Sequence, residues 1–329
     1  MTTKRFGINR RRFISIAAAF ASAGPRAALA QELQTFTWHG VALGAEASLT
    51  LQHHDKAKAA DAINACLAEV TRLEGIFSLF RPDSALLQLN ASGHLDEAPA
   101  DLRLLLAEAL RLSEVTGGAF DPTIQPLWAL YARHFNTQPD ARDGPDVHDI
   151  AAARSLVDWR KVVVDGGTIR LLAPGMAVSV NGIAQGYITD KVGDLLKARG
   201  FAHVLVNMGE QLALGPKWDG GTWRVAITDP VQPGRTIAIL PLASGAVATS
   251  GGYGCSFDTA GRFTHILDPQ TGEPARDWSS VTVIATRATT ADGLSTAVAA
   301  APASEAARLL GGLARGYVVP SNAATGRWV

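Results

Sequence analysis

The chain has 329 residues, of which 47% are hydrophobic, 7% are aromatic and 18% are charged. This length suits one large domain or two smaller ones, and the composition excludes intrinsic disorder and fibrous repeats. With only two cysteines, the chain is neither a disulfide scaffold nor a cysteine-rich zinc or iron–sulfur module.

Residues 1–30 have the organisation of an export signal. Arg10-Arg11-Arg12-Phe13 precedes an apolar run from Ile16 to Ala23, and Ala28-Leu29-Ala30 is a small-x-small sequence of the kind that signal peptidase cuts. Consecutive arginines before Phe are typical of a twin-arginine signal, and an ordinary secretory signal is the alternative. Both kinds of signal predict a mature chain that begins near Gln31 and works in the periplasm.

The formal net charge of zero conceals an asymmetry. Residues 1–30 contain six Lys or Arg and no acid, so 24 basic and 30 acidic residues remain after them, a net charge of −6. A chain with an acidic field is a poor candidate for nucleic-acid binding. No segment after residue 30 reaches the ~18 uninterrupted apolar residues that a transmembrane helix needs, so the mature chain is not expected to span a membrane.

The first half of the mature chain predicts one strand and two amphipathic helices. Gly40 to Gln52 is typical of a strand. Asp55 to Phe77 and Asp101 to Val115 carry apolar residues at helical spacing, and Gly117-Gly118 ends the second helix. Gln138 to Asp149 is rich in Pro, Asp and Gly and is predicted to be a surface loop.

The second half predicts short strands and further helices. A hairpin is expected around Asp165-Gly166-Gly167. Further strands are predicted at 176–180, 222–228, 236–242 and 280–285, and helices at 183–199, 291–301 and 304–311. Strands joined mostly by hairpins, together with several long helices, predict an α+β fold. No repeat or linker divides residues 31–329, which are expected to form one domain.

Four stretches place small and polar residues where a core does not need them. In residues 116–123, two glycines allow backbone conformations that other residues avoid, and Phe120 adjoins Asp121. The loop could therefore place an aromatic ring under a flat ligand. The alternative is a helix C-cap followed by a turn. Residues 179–187 contain two glycines where a strand leads into a helix, and amides at a helix start suit phosphate. This second stretch is neither GxGxxG nor a Walker A loop.

The other two stretches carry hydroxyls, an imidazole and carboxylates. Residues 248–253 are followed by residues 262–272, in which His265 can be an acid–base partner or a structural residue. In the last stretch, Asp292 and Thr296 are four residues apart and share one helix face. Their oxygens suit a hard cation such as Mg²⁺, while an N-cap role of Asp292 is the alternative.

Six sequence elements occur in a fixed order along the mature chain. They are Glu74-x-x-Phe77-Ser78, the segment from Pro82-Asp83-Ser84 to Leu89-Asn90, Gly117-Gly118-Ala119-Phe120-Asp121-Pro122-Thr123, Thr249-Ser250-Gly251, His265-Ile266-x-Asp268-Pro269-x-Thr271-Gly272 and Ala291-Asp292-x-x-Ser295-Thr296-Ala297. Their joint order resembles the FAD:protein FMN transferases of the ApbE flavin transferase family. The resemblance runs from about Gly40 to about Ala300, nearly the whole mature chain.

This resemblance implies an ApbE-type fold of mostly antiparallel sheets packed with helices, with a flavin cleft between two subdomains. It also implies that Mg²⁺ holds the pyrophosphate of FAD and that FMN is transferred to a Thr or Ser of another protein, releasing AMP. The metal ligands would be Asp292, Thr296 and the carbonyl of Gly182, and the catalytic residues would be His265 and Asp292. The residues expected to contact FAD are Leu43, Phe80, Ala119, Phe120, Asp121, Ser179, Gln185, Thr249 and Ile266.

Two positions depart from the family sequence Asp-Leu-Gly-x-Ile-Ala-Lys-Gly, because Ser179 replaces the Asp and Gln185 replaces the Lys. Losing a cation beside a pyrophosphate removes a charge-assisted contact worth about 1.5–3 kcal/mol.

Two hypotheses about the function therefore stay open. One is an enzyme that flavinylates an exported or membrane-anchored redox protein. The other is a periplasmic protein that binds and delivers FAD without cleaving it.

The acceptor flavoprotein and the state of the thiols are less constrained by the sequence. Exported members of the family serve respiratory electron transfer, including nitrous oxide reduction and sodium-pumping complexes, and that analogy suggests an acceptor of this kind. The sequence alone leaves open whether Cys66 and Cys255 form a disulfide.

Overall fold

The computed structural model describes residues 33–42, 44–232, 234–323 and 325–329. The predicted export signal, residues 1–30, and Leu43 lie outside the described residues. The helices are α1 Lys56–Phe77, α2 Ala85–Ser92, α3 Ala100–Thr116, α4 Gln125–Thr137, α5 Val147–Arg154, α6 Ala184–Ala198, α7 Ala288–Ala300 and α8 Ala306–Leu310. The strands are β1 Gln34–Ala42, β2 Ala45–His53, β3 His94–Leu95, β4 Val162–Asp165, β5 Thr168–Leu171, β6 Val204–Asn207, β7 Gln211–Ala213, β8 Trp223–Thr228, β9 Thr236–Leu242, β10 Gly245–Ser250, β11 Trp278–Ala285, β12 Arg315–Pro320 and β13 Arg327–Trp328.

The strands form one large sheet and two small ones. The main sheet has the order β1-β2-β6-β7-β10-β11-β12-β13, and the smaller sheets are β3-β5-β4 and the β8–β9 ribbon. Neighbouring strands are antiparallel in each of these sheets. The predicted α+β class is therefore confirmed. No helix in the part of the chain that the structure describes is long and apolar enough to cross a membrane.

The main sheet separates two apolar layers. Helix α7 packs on β10 and β11, α6 packs on α7, and α1 packs on α6. Along β10 the side chains alternate, so that Ala246 and Ala248 face the helical layer while Val247 faces the β8–β9 ribbon. Small, fully buried residues such as Ala291 and Ala297 let α7 lie close to the sheet. The core thus fixes α6 and α7 against each other and against the end of β10.

The main predicted helices are confirmed, together with residues at their ends that start or stop them. Asp55 caps α1 by accepting a hydrogen bond from the Lys58 amide, as a side-chain oxygen at an N-cap does. Helix α3 ends at Gly117, whose φ of 66° is the left-handed conformation that glycine tolerates. The hairpin of β4 and β5 lies where the sequence predicted it.

Two strand predictions are wrong. The segment 40–52 was predicted to be one strand, but it contains the end of β1, a turn and most of β2. These two strands form a hairpin that turns at Gly44, where φ is 80°. The segment 176–180 is extended but belongs to no strand. The Asn90 side chain replaces a strand partner there, since its Oδ1 accepts from the Val178 amide at 2.7 Å and its Nδ2 donates to the Val178 carbonyl at 2.8 Å.

Two helix boundaries also differ from the prediction. The predicted loop at 138–149 ends early, because α5 begins at Val147 with Asp146 as its N-cap. Helix α7 begins at Ala288, so Asp292 lies one turn inside it and the N-cap alternative for Asp292 is wrong.

Candidate functional site

Helices α6 and α7 meet at the predicted cation ligands. The carbonyl of Gly182, just before α6, accepts a hydrogen bond of 3.2 Å from Thr296 Oγ1 on α7. In the first turn of α6, the Gly186 amide donates a 2.9 Å hydrogen bond to Asp292 Oδ2. The structure therefore brings together Gly182, Asp292 and Thr296, the three residues that the family resemblance assigned to a metal ion.

The close approach of the two helices depends on glycine. A Cβ atom on Gly182 would lie 2.9 Å from Thr296 Oγ1, and one on Gly186 would lie 2.3 Å from the Ala288 carbonyl oxygen. Packed side chains do not approach so closely, so a larger residue would push α6 away from α7. The two glycines keep the carbonyl and amide of α6 within reach of Asp292 and Thr296.

A buried carboxylate on α6 fixes the start of α7. Asp190, which is 1% exposed, accepts hydrogen bonds of 2.9 Å from the amides of Ala288 and Thr289 and one of 2.6 Å from Thr289 Oγ1. Arg287 Nε lies 3.2 Å from the same carboxylate. Asp190 thus satisfies amides that a helix start leaves without partners, and it holds α7 against α6.

Two further buried carboxylates, Asp292 and Glu210, dominate the electrostatics of the site. Asp292 is 3% exposed, and burial together with the charge of Asp190 raises its pKa to about 7 against the opposing hydrogen bond from Gly186. Burial and the charge of Asp292 raise the pKa of Glu210 well above its ordinary value. Neither Asp292 nor Glu210 has an ion-pair partner among the described residues. A cation bound here would supply the compensating positive charge.

Hydroxyl groups connect the end of β10 to α7. Ser250 Oγ lies 2.8 Å from Ser295 Oγ and 3.3 Å from Thr296 Oγ1. The preceding residue, Thr249, donates its amide to Glu210 Oε2 at 3.1 Å. Thr249 was predicted to contact FAD, and the structure places it beside this carboxylate. Oxygen atoms of carboxylate, hydroxyl and carbonyl groups are the ligands that Mg²⁺ prefers.

The predicted flavin loop has a tightly bonded backbone. Asp121 Oδ1 accepts from the amide and the hydroxyl of Thr123, and its Oδ2 accepts from the Trp159 amide at 3.2 Å. Ala119 is buried, and the Phe120 ring packs in the main core at 4% exposure. Protein already surrounds this ring, so the loop has no exposed aromatic face, and the FAD contacts of Ala119, Phe120 and Asp121 stay predictions. The C-cap and turn alternative is confirmed.

The remaining predicted contacts lie around the same region or outside the described residues. The Ser179 amide donates to the Pro122 carbonyl at 2.7 Å, which joins the segment before α6 to the flavin loop. Gln185 packs against Gly209, where a Cβ atom would lie 2.6 Å from the Gln185 side-chain amide. Phe80 is 82% exposed, so its ring is free to stack on a ligand. Leu43 lies outside the described residues.

His265 has one defined tautomer. Its Nδ1 lies 2.9 Å from the Cys255 carbonyl oxygen. A carbonyl only accepts hydrogen bonds, so Nδ1 carries the proton and Nε2 keeps its lone pair. Burial lowers the pKa of His265 more than the carbonyl contact raises it, which favours the neutral ring. Cys255 itself is an exposed free thiol and Cys66 a buried one, so the two do not form a disulfide.

Both sequence neighbours of His265 line a cavity of about 410 Å³. These neighbours are Thr264 and Ile266, the second of which was predicted to contact FAD, and the lining also includes Tyr253, Arg262, Arg276, Trp278 and Ser279. The chain after β10 connects this cavity to the cation ligands. A Cβ atom on Gly252 would lie 3.0 Å from Thr264 Cβ, while Ser250 contacts Thr296. The cavity and the cation ligands are therefore joined by one short segment.

Sequence reasoning missed two residues of this region. Asp190 lies one turn after Gly186 on the buried face of α6, and a carboxylate among apolar helix positions was the available signal. Ser250 was seen only as part of a motif. In the described part of the chain, no three His, Cys, Asp or Glu side chains form a metal-binding cluster, so a metal here would depend on hydroxyl and carbonyl oxygens as well.

Comparisons with known proteins identify the family and the fold of this chain. A sequence profile of the ApbE family matches residues 43–319. The FAD:protein FMN transferase of Vibrio cholerae is 33% identical over 67% of this chain and 67% of its own length, and that of Treponema pallidum is 35% identical over 71% of each. The apo crystal structure of the Pseudomonas stutzeri flavinyl transferase ApbE has a TM-score of 0.78 and 30% identity, covering 91% of this chain and 95% of that one, which confirms the predicted ApbE-type fold. The chain therefore belongs to the ApbE family.

Proposed function

We propose that this chain is a FAD:protein FMN transferase that works in the periplasm. The observation that carries the proposal is the meeting of the Gly182 carbonyl, Asp292 and Thr296, joined through the segment after β10 to the cavity that flanks His265. The names of the relatives support the activity. The periplasmic location is supported by the export signal predicted for residues 1–30.

The residues present fit a divalent cation. Asp292 is a carboxylate whose pKa is raised by burial and by the charge of Asp190, and a bound cation would offset both effects. The ion would be held by Asp292, Thr296 and the Gly182 carbonyl, which are hard oxygen donors. When bound, Mg²⁺ would neutralise charge on the pyrophosphate of FAD.

His265 supplies the base in this proposal. Its Nε2 has a free lone pair and takes the proton of the acceptor Thr or Ser hydroxyl as that oxygen attacks the FMN-side phosphorus. A bond forms between the acceptor oxygen and phosphorus, and the bond from phosphorus to the bridging oxygen breaks. AMP leaves with that oxygen, and FMN remains on the acceptor as a phosphoester.

The alternative is a protein that binds and delivers FAD without cleaving it. One observation favours it: position 185, where the family pattern has a lysine, is a neutral glutamine, whose side chain packs against Gly209. A neutral amide stabilises a pyrophosphate less than an ammonium group does. We place the transferase first because Asp292, Thr296 and His265 are all present.

The acceptor in this proposal is an exported or membrane-anchored redox flavoprotein. The basis is the predicted export signal together with analogy to exported family members in respiratory electron transfer, such as nitrous oxide reduction.

The test uses residues 31–329 with FAD, Mg²⁺ and an acceptor domain. Mass spectrometry of the denatured acceptor should show the addition of one FMN, and free AMP should appear. Both products should vanish with Asp292→Ala. Asp194→Ala is the matched control, because Asp194 is an exposed partner of Arg287 and should retain activity. FAD that stays intact with every acceptor tried would instead support the delivery protein.

A further inference from the structure

The hairpin that carries His265, residues 255–265, is attached through aromatic rings. Ser256 and Thr264 form an isolated antiparallel bridge, and the Phe257 amide donates to the Phe263 carbonyl at 2.8 Å. Asp258 holds the turn by accepting hydrogen bonds from the Phe263 amide and from Arg262 Nε. The hairpin is thus a local unit that is not part of the main sheet.

Both hairpin phenylalanines pack on α4. The ring of Phe257 lies 5.6 Å from that of Tyr131 in a stacked arrangement and 5.5 Å from that of Trp128 edge to face. The ring of Phe263 lies 4.9 Å from that of Phe135 and 6.4 Å from that of Tyr131. Tyr131 therefore contacts both rings, and it is 1% exposed.

These rings belong to a small apolar cluster that is separate from the main core. Its buried members are Leu127, Tyr131, Phe135 and Leu267. Helix α4 begins only four residues after Asp121, so the same helix follows the predicted flavin loop and supports the His265 hairpin. Helix α4 therefore links the His265 hairpin to that loop.

We propose that Phe257 and Phe263, held by Tyr131 on α4, are positioning residues for His265. The inference rests on the proposed function, in which His265 Nε2 must point at the acceptor hydroxyl. The Nδ1 proton of His265 is bonded to the Cys255 carbonyl, which lies on the opposite arm of the same hairpin. Loss of the aromatic packing would let the two arms shift relative to each other, which moves the ring and breaks the hydrogen bond that fixes its tautomer. A displacement of about 1 Å in a catalytic group can cost about 100-fold in rate.

The experiment compares Phe263→Leu and Tyr131→Leu with the wild-type chain. Each variant removes aromatic contacts of the hairpin without substituting His265 or any of the cation ligands. We expect the turnover rate to fall at least about tenfold at a temperature where circular dichroism shows full folding. In ¹⁵N NMR, the His265 ring should change from a fixed Nδ1–H tautomer to an averaged one.

Two control variants separate positioning from general loss of packing. Phe201→Leu removes a ring from the main core, where Phe201 contacts His53, and should leave both readouts unchanged. Tyr131→Phe keeps the ring and should also behave as the wild type. A fixed tautomer and an unchanged rate in Phe263→Leu and Tyr131→Leu would overturn the proposal. If the wild-type chain transfers no FMN, the proposed function fails, and the NMR comparison still decides whether the aromatic cluster positions His265.

Discussion

The buried carboxylate of Asp292 should make the stability of the protein depend on pH. Its pKa is about 7 in the folded chain against 3.8 ordinarily. Between these values the folded state binds more protons than the unfolded state, so the free energy of unfolding of the metal-free protein falls as the pH rises from about 4 to about 7. The size of this loss is on the order of a few kcal/mol.

Asp292→Asn should remove most of this pH dependence. Asn cannot ionise, while its side-chain oxygen can still accept the hydrogen bond from Gly186. Without metal at pH 8, we expect the variant to melt at a higher temperature than the wild type. Added Mg²⁺ should raise the melting temperature of the wild type only. A variant that melts lower than the wild type at pH 8 would contradict this account.

His265 should determine the pH dependence of FMN transfer. Burial lowers its pKa below 6.5, so the turnover rate should be constant near neutrality and fall on acidification through that lowered pKa. His265→Asn keeps a donor for the Cys255 carbonyl but has no Nε2 base. We expect a loss of about 10²–10⁴-fold in turnover, measured by the release of AMP. Unchanged FAD binding, followed by flavin fluorescence, is the control.

Single residues of the site could be predicted where their chemistry is local. Asp292 and Thr296 share a helix face by their spacing alone, and the structure places them together. The burial of the Phe120 ring could not be predicted, because it depends on distant core residues that spacing does not reveal. The role of Asp190 depends on a contact with residues about a hundred positions later in the chain.

Helix α7 should depend on the carboxylate of Asp190. In Asp190→Asn, an amide nitrogen replaces one acceptor oxygen, and at least one of the bonds from Ala288 and Thr289 is lost. Loss of a buried cap and a charged hydrogen bond should cost about 2–4 kcal/mol in the free energy of unfolding. The affinity for Mg²⁺ should fall as well, because Asp292 and Thr296 lie on the same helix.

Asp194→Asn is the matched control for Asp190→Asn, because it makes the same substitution on the same helix. Asp194 pairs with Arg287 on the surface, and such an exposed pair is worth about 0–1 kcal/mol. Urea unfolding and calorimetric Mg²⁺ titration of both variants test the prediction. Equal losses in the two variants would mean that Asp190 has no special role as a cap.

Long helices were predictable because their apolar spacing and end signals are local in sequence. The strand errors have different physical causes. The turn at Gly44 has apolar neighbours on both sides, so no polar residues marked it. The extended segment at Val178 is bonded by the side chain of Asn90, a contact 88 residues away along the chain. Pairing of this kind is fixed by the tertiary fold and leaves no period in the sequence.

At the scale of the whole molecule, the order of motifs carried more information than any one motif. The six elements lie between Glu74 and Ala297, and they occupy different helices, strands and loops. The fold brings several of them together only because α7 lies on β10 and against α6. The order of the motifs was therefore enough to predict the family, while the contacts between the helices and strands that carry them could be seen only in the structure.

The proposed export of the chain gives the last prediction. In a twin-arginine signal the paired arginines are read directly, so Arg10→Lys combined with Arg11→Lys should leave the precursor in the cytoplasm. An ordinary secretory signal needs only positive charge before its apolar run, and lysine supplies that charge. Cell fractionation of the double variant therefore distinguishes the two signals: retention in the cytoplasm indicates the twin-arginine route, and undiminished export excludes it. The first outcome also implies that the domain folds, and can bind FAD, before it crosses the membrane.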